Sequence, residues 1–236
     1  MRSVRVVVVT GTDTGVGKTV TTAALSRVAL DHGLIVTVVK PTQTGVATGE
    51  ATDVATIAAL GGCTRLSELV RLDDPLAPDT AARRLGLALP AVEELATQVV
   101  AAAHGSDLVL VEGAGGVAVR LDTAGGTLLG LASALSRLGL GVCFVVVTRL
   151  SLGTLNHTAL TVGAIRAAGH QLAGLMIGAV PTVLQLAEQT NLTELPRITA
   201  LPLLGAIPAG AGTLTPTRFR AACAEWVPDT CWLTQP

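Results

Sequence analysis

Residues 4–19, Val-Arg-Val-Val-Val-Val-Thr-Gly-Thr-Asp-Thr-Gly-Val-Gly-Lys-Thr, leave few folds open to this chain. A β-branched run of strand length passes directly into a glycine-rich turn ending in Gly17-Lys18-Thr19. Val20 to Leu30 then continues with helical spacing of apolar positions and no Gly or Pro. A loop in that context turns its backbone N–H groups towards an anion at the positive end of the helix. A lysine there reaches the β- and γ-phosphates, and a Ser/Thr hydroxyl takes Mg²⁺. Lys18 and Thr19 fill those two places. The usual G-x-x-x-x-G-K-S/T spacing would put its first glycine at Thr12, whereas the glycine is Gly11, so the loop is a variant. The plain alternative is a glycine-rich turn with a surface lysine. The strand before it and the helix after it favour the phosphate reading.

The rest of the chain supports an α/β architecture. Its 236 residues suit one domain, residues 1–236, which would bury roughly 70–75% of its unfolded surface. Half the residues are apolar and 14% are charged, and β-branched runs alternate with Ala/Leu-rich helical stretches. That alternation predicts a doubly wound, mainly parallel sheet with helices on both faces. A net charge of -1, no Lys/Arg cluster and 2% aromatics argue against a nucleic-acid partner. The longest apolar stretch, Leu138 to Val147, is about half a membrane span. The short apolar run after Arg2 and Arg5 leads into the phosphate loop rather than a cleavage site, so a cytoplasmic protein is expected. Cys63, Cys143, Cys223 and Cys231 show no C-x-x-C spacing and read as reduced, mostly structural thiols.

Further candidates follow in chain order. Leu34 to Val39 reads as a second strand, ending at Lys40-Pro41-Thr42-Gln43-Thr44-Gly45. Ligands of open α/β sheets sit beyond the carboxyl ends of strands, so Lys40 and Thr44 point to the same crevice as the phosphate loop. Pro41 keeps Lys40 extended and sets the exit of the chain. A helix is expected from Glu50 to Leu60, with Asp53 near its start as a cap or a metal ligand. Cys63 to Gly86 reads as irregular, and Pro90 to His104 as an amphipathic helix. Asp107 to Val111 is a core strand that delivers Glu112 to Gly113-Ala114-Gly115-Gly116. An acid there can complete a Mg²⁺ shell, and the glycines let a ligand approach the backbone. Gly141 to Val147 is another buried strand, with Gly153-Thr154-Leu155-Asn156-His157-Thr158 opening a helix whose free N–H groups suit a carboxylate. Gln171 to Ile177 and Leu203 to Ile207 read as the last strands, and beyond Gly212 the sequence says little.

Together these segments, spanning residues 4–210, closely resemble the dethiobiotin synthetase family, of P-loop NTPase type. The resemblance implies that 7,8-diaminononanoate takes up CO₂ as a carbamate, which ATP phosphorylates and the second amine closes to a cyclic urea. It implies Lys18 and Lys40 as catalytic residues, and Mg²⁺ held by Thr19, Asp53 and Glu112. Glu50 is the alternative to Asp53. Nucleotide contacts are implied for Gly15, Val16, Gly17, Lys18, Thr19 and Val20, for Glu112, Gly113, Ala114 and Gly115, and for Pro208, Ala209 and Gly210. Thr14 and Thr44 match positions near the diamine. Gly153, Thr154, Leu155 and Asn156 match a segment that receives the substrate carboxylate from a neighbouring subunit, so a homodimer is implied.

The chain departs from the family pattern in three places. Gly15 stands where some relatives carry an acid, Gly130 stands at a position often held by Asp, and Thr182 stands where relatives often place an Asn near the base. Two rivals belong to other classes. A partition-type ATPase switch usually needs a second lysine early in the loop, where this chain has Thr12, Asp13 and Thr14. A corrinoid amide synthetase usually carries an added glutamine-hydrolysing domain, for which the chain is too short.

Overall fold

In the computed structural model, which describes residues 4–47 and 49–233, seven parallel strands form one sheet. The strands are β1 (Arg5–Gly11), β2 (Val36–Thr44), β3 (Arg65–Leu72), β4 (Leu108–Gly116), β5 (Gly141–Thr148), β6 (Gln171–Val180) and β7 (Leu203–Pro208). Their order is β3-β2-β4-β1-β5-β6-β7, so β1 lies at the centre between β4 and β5. The helices are α1 (Lys18–Asp31), α2 (Asp53–Gly61), α3 (Pro78–Leu85), α4 (Val92–Ala102), α5 (Leu128–Arg137), α6 (Thr154–Ala167), α7 (Leu186–Thr199) and α8 (Pro216–Trp226).

The β-branched runs make the sheet two-sided. Successive side chains of a strand point to opposite faces, so Val7 and Val9 join the core under α1, α2 and α8. Val6 and Val8 join the core under α4, α5 and α6. Each face is thereby sealed by helices, which is the expected doubly wound arrangement. The same alternation places the charges. Leu108 and Leu110 of β4 and Val36 and Val38 of β2 face the α1–α2 layer, so Glu112 and Lys40, next in those two series, face it too.

Two local expectations are corrected, and two helices are added where the sequence was silent. Cys63 to Gly86 is not irregular: it contains β3 and α3. β3 is an edge strand of partly buried residues with charges at Arg65, Glu68 and Arg71, so it lacks a clean apolar run, and Pro78 opens α3 at its first turn rather than breaking it. β2 does not end at Lys40 but continues to Thr44; β4 stops pairing with it at Val39, so Pro41 forfeits no ladder bond on that side. A fifth core helix, α5, buries Leu128, Leu131 and Leu135. Beyond Gly212, α8 packs against α1 and α2 and buries Phe219 and Cys223.

Cys63, Cys143 and Cys223 are free thiols, and burial pushes Cys143 up to about 11 and Cys223 up to about 12. Among the described residues no helix is long and apolar enough to cross a membrane.

Candidate functional site

β1 ends in the glycine turn, and α1 begins at Lys18 with Gly17 in the left-handed region at φ 96°. Gly17 is required there twice over. Its φ disfavours a side chain, and a Cβ would lie 2.5 Å from the carbonyl oxygen of Gly178 at the end of β6. The contact is mutual, since a Cβ on Gly178 would come within 1.8 Å of the carbonyl oxygen of Val16. The phosphate loop is therefore seated directly on the backbone of β6.

Beside the loop, a cleft of about 800 Å³ opens at the carboxyl ends of β1, β2 and β4. It is lined by Thr14, Gly15, Gly17, Lys18, Thr19 and Val20, by Lys40 and Thr44, by Asp53, and by Glu112, Ala114 and Gly115. Lys40 is its charge centre. Its ammonium lies 2.6 Å from Asp53 Oδ2 and donates to Glu112 Oε1 at 2.9 Å and to the Gly113 carbonyl at 3.1 Å. The Thr19 hydroxyl lies 3.1 Å from Asp53 Oδ1 and 3.0 Å from Glu112 Oε1, so the same two acids face both α1 and β2. Asp53 is held in place by the start of α2. Thr52 caps that helix by accepting from Ala55 N, and the Gln43 amide oxygen accepts from Asp53 N at 3.1 Å. Gln43 is thus a site-building residue that sequence reasoning passed over, although its place between Lys40 and Thr44 was a usable signal.

The charges tune one another. Burial pulls the Lys40 ammonium down, but the charges of Glu112 and Asp53 outweigh it and leave its pKa raised. Burial likewise pushes Asp53 up, and the Lys40 charge and hydrogen bond prevail to hold it low. Lys18 goes the other way: burial, then repulsion from Lys40, lowers it. Its ammonium donates to the Asp13 carbonyl at 2.9 Å.

The site's fit to Mg²⁺ is read from Glu112. Its side chain is fully buried, Oε1 is engaged, and Oε2 has no hydrogen-bond partner. A buried carboxylate oxygen without a donor is costly unless a cation balances it. With the Asp53 carboxylate and the Thr19 hydroxyl beside it, the donor set is all oxygen, as Mg²⁺ prefers. Glu50 is not part of this set, since its carboxylate caps Ala47 N at 3.2 Å in an exposed turn.

The remaining candidates lie outside the cleft lining. Val16 is buried behind the loop, and Gly113 offers its carbonyl to Lys40. Pro208 ends β7, and Ala209 and Gly210 follow it. Ala209 N donates to the Val180 carbonyl at 2.8 Å, and a Cβ on Gly212 would touch Val20 at 3.1 Å, which places this segment against the start of α1. Gly153 precedes α6 in the left-handed region at φ 95°. The Thr154 hydroxyl is committed inside the chain, donating to the Arg149 carbonyl at 2.6 Å beside Thr148 and Thr158. Leu155 is half-buried, and Asn156 is exposed with no side-chain hydrogen bond to any described residue.

Comparison with known proteins gives a consistent picture. Residues 5–216 match the family model of an AAA domain. The ATP-dependent dethiobiotin synthetase of Rhodococcus jostii is 50% identical over 228 residues, covering 97% of this chain and 96% of that protein. The enzyme of the same name from Streptomyces coelicolor is 48% identical over 94% of this chain and 91% of its own. Among solved structures, the septum site-determining protein MinD of Pyrococcus horikoshii, complexed with Mg-ADP, aligns with a TM-score of 0.55 at 18% identity. That alignment covers 92% of this chain and 89% of that one. A ParA family ATPase of Chlorobium tepidum aligns at 0.55 and 14%, covering 95% and 92%. Identities this low speak for the fold alone.

Proposed function

The chain belongs to the dethiobiotin synthetase family, and from that premise we propose that it is an ATP- and Mg²⁺-dependent enzyme that closes 7,8-diaminononanoate and CO₂ to dethiobiotin. The observation that carries this reading is Lys40, whose buried ammonium bridges the two acids beside the phosphate loop.

In this reading an amine of the diamine attacks CO₂, forms the N–C bond and releases a proton. A carbamate oxygen then attacks the γ-phosphorus of ATP as the bond to ADP breaks. The second amine attacks the carbamate carbon, the C–O bond to phosphate breaks, and the urea ring closes. Phosphorylation is needed because a carbamate oxygen is a poor leaving group. Phosphoryl transfer mainly needs positioning and charge neutralisation. The Lys18 ammonium neutralises the phosphates, and the Lys40 ammonium holds the carbamate beside them. Losing one such contact costs about 3–4 kcal/mol of barrier stabilisation. Thr19, Asp53 and Glu112 would hold Mg²⁺, which when bound offsets charge on the β- and γ-phosphates.

The reading extends to a homodimer. Thr14 and Thr44 would face the diamine end, and Gly153 to Asn156 of a second copy the distant carboxylate, at a helix N-terminus that suits an anion. Two facts support this. The Asn156 side chain makes no hydrogen bond among the described residues, and the neighbouring Leu152 and Leu160 are 89% and 66% exposed. The partition-type switch shares the fold, but 50% identity over nearly the whole chain to a synthetase favours the synthetase reading.

ADP release that requires both the diamine and bicarbonate tests the activity, and release without the diamine would refute it. Mixed subunits test the dimer. Lys40→Ala and Asn156→Ala chains, each severely impaired alone, should recover up to half the sites of a heterodimer. No recovery in proven heterodimers would place the whole site within one chain.

A further inference from the structure

The loop's crest, Asp13 and Thr14, lies between Gly11 and Gly15, and among the described residues one side chain from outside the loop hydrogen-bonds to it. Arg149, directly after β5, donates from Nη2 to Asp13 Oδ2 at 3.2 Å and to the Thr14 carbonyl at 3.4 Å. What it holds is connected to the phosphate contacts. Asp13 Oδ1 accepts from Thr14 N at 2.7 Å, and the Asp13 carbonyl is the acceptor of the Lys18 ammonium. On its other side, the Arg149 carbonyl accepts from the Thr154 hydroxyl, which joins Thr148 and Thr158 in a buried hydroxyl cluster at the first turn of α6. One residue thus touches the phosphate loop with its side chain and the start of α6 with its backbone.

As a bare ion pair this contact would count for little. The two side chains are 43% and 58% exposed, and pairs of that kind contribute little to stability. Its reach is what distinguishes it. A single nitrogen of the guanidinium, Nη2, meets a carboxylate and a carbonyl on consecutive loop residues and so ties both to the end of β5. Thr12 N donates to the Val147 carbonyl at 3.0 Å, so the loop and the end of β5 are already in backbone contact, and a shift of either is felt by the other.

We infer that Arg149 is a positioning residue linking the phosphate loop to the start of α6, so that binding of the nucleotide and of the substrate's carboxylate favour each other. The inference rests on the two-chain site proposed above. In that site the α6 start of one chain serves the substrate of its partner, so the link joins the nucleotide of one site to the substrate of the other.

The test is calorimetric titration of a non-hydrolysable ATP analogue with Mg²⁺, with and without 7,8-diaminononanoate, on wild type, Arg149→Ala, Arg149→Lys and Asp13→Asn. Wild type should bind the analogue more tightly when the diamine is present, by a coupling of about fivefold or more. Arg149→Ala and Asp13→Asn should weaken the analogue alone about threefold to fivefold and remove most of the coupling, with the melting temperature unchanged. Arg149→Lys should recover part of the affinity, since it keeps the charge but carries it on a shorter, more strongly hydrated head. Unchanged affinity and coupling in Arg149→Ala would overturn the inference. So would a loss of affinity with full coupling, a loss that follows a lowered melting temperature, or wild-type binding indifferent to the diamine. Failure of the synthetase reading is seen separately, as wild-type turnover that ignores the diamine and bicarbonate.

Discussion

The two halves of the sheet's carboxyl edge are built in opposite ways. At the ends of β1, β2 and β4, Lys18, Lys40 and Glu112 are 7%, 3% and 0% exposed, and each ionic group but one carboxylate oxygen is engaged by a neighbour. Beyond β5 and β6 the chain instead presents Leu152, Val183 and Leu186 at 89%, 73% and 80% exposure, with Asn156 free of partners among the described residues. The first half has its charges fixed in place by packing, so it can act on phosphate without reorganising. The second half offers backbone and apolar surface that this chain alone does not cover. It serves the first half mechanically, through the Gly17–Gly178 seat and Arg149.

The hardest test of the first half is Lys18→Ala. Turnover should fall by about two to three orders of magnitude, while the melting temperature changes little, because burial already disfavours the ammonium and its acceptor is a loop carbonyl. Near-normal turnover with Mg²⁺ and ATP would remove the loop from the chemistry.

The seat itself is tested by Gly178→Ala. A Cβ 1.8 Å from the Val16 carbonyl must move either β6 or the loop. Overpacking of that kind costs about 1–3 kcal/mol. If the loop is what moves, calorimetry should show nucleotide affinity reduced by about tenfold or more. Wild-type affinity would show that the second half gives no support to the first.

Glu112→Gln asks whether the unpartnered oxygen has a use. The amide keeps the shape, loses the charge that Mg²⁺ prefers and weakens the contact with Lys40. Half-maximal Mg²⁺ for turnover should rise by about tenfold, and an unchanged Mg²⁺ dependence would mean that Glu112 only partners Lys40 and Thr19.

The smallest effect is expected on the second half, at the base. Thr182 is exposed, so it provides no buried polar group that a wrong base would leave unpaired. The kcat/KM values for ATP, CTP and GTP should therefore lie closer than about a thousandfold, or about 4 kcal/mol. A larger preference for ATP would mean that another residue reads the base.

What could be read from the chain follows this division. The phosphate loop, the valine strands and the acid that follows the apolar run of β4 were legible, since each is a property of contiguous residues and of alternation along one strand. β3 and α3 were not, because an edge strand such as Arg65 to Leu72 alternates weakly and two prolines mask a short helix. Nor was Arg149, 136 residues from Asp13, whose partner no local pattern indicates.

By itself, then, the sequence determined which chemical groups the strand ends carry: a lysine and a hydroxyl in the loop, a lysine after β2's valines, an acid after β4's. The tertiary structure decided which of them meet. Setting β4 between β1 and β2 and docking α2 beside α1 brings Lys40, Asp53, Glu112 and Thr19 within hydrogen-bond distance, across separations of up to 93 residues. The physical reason is that strand order and helix docking are chosen by burial of the two apolar faces of the whole sheet, a sum over the chain that no single segment contains.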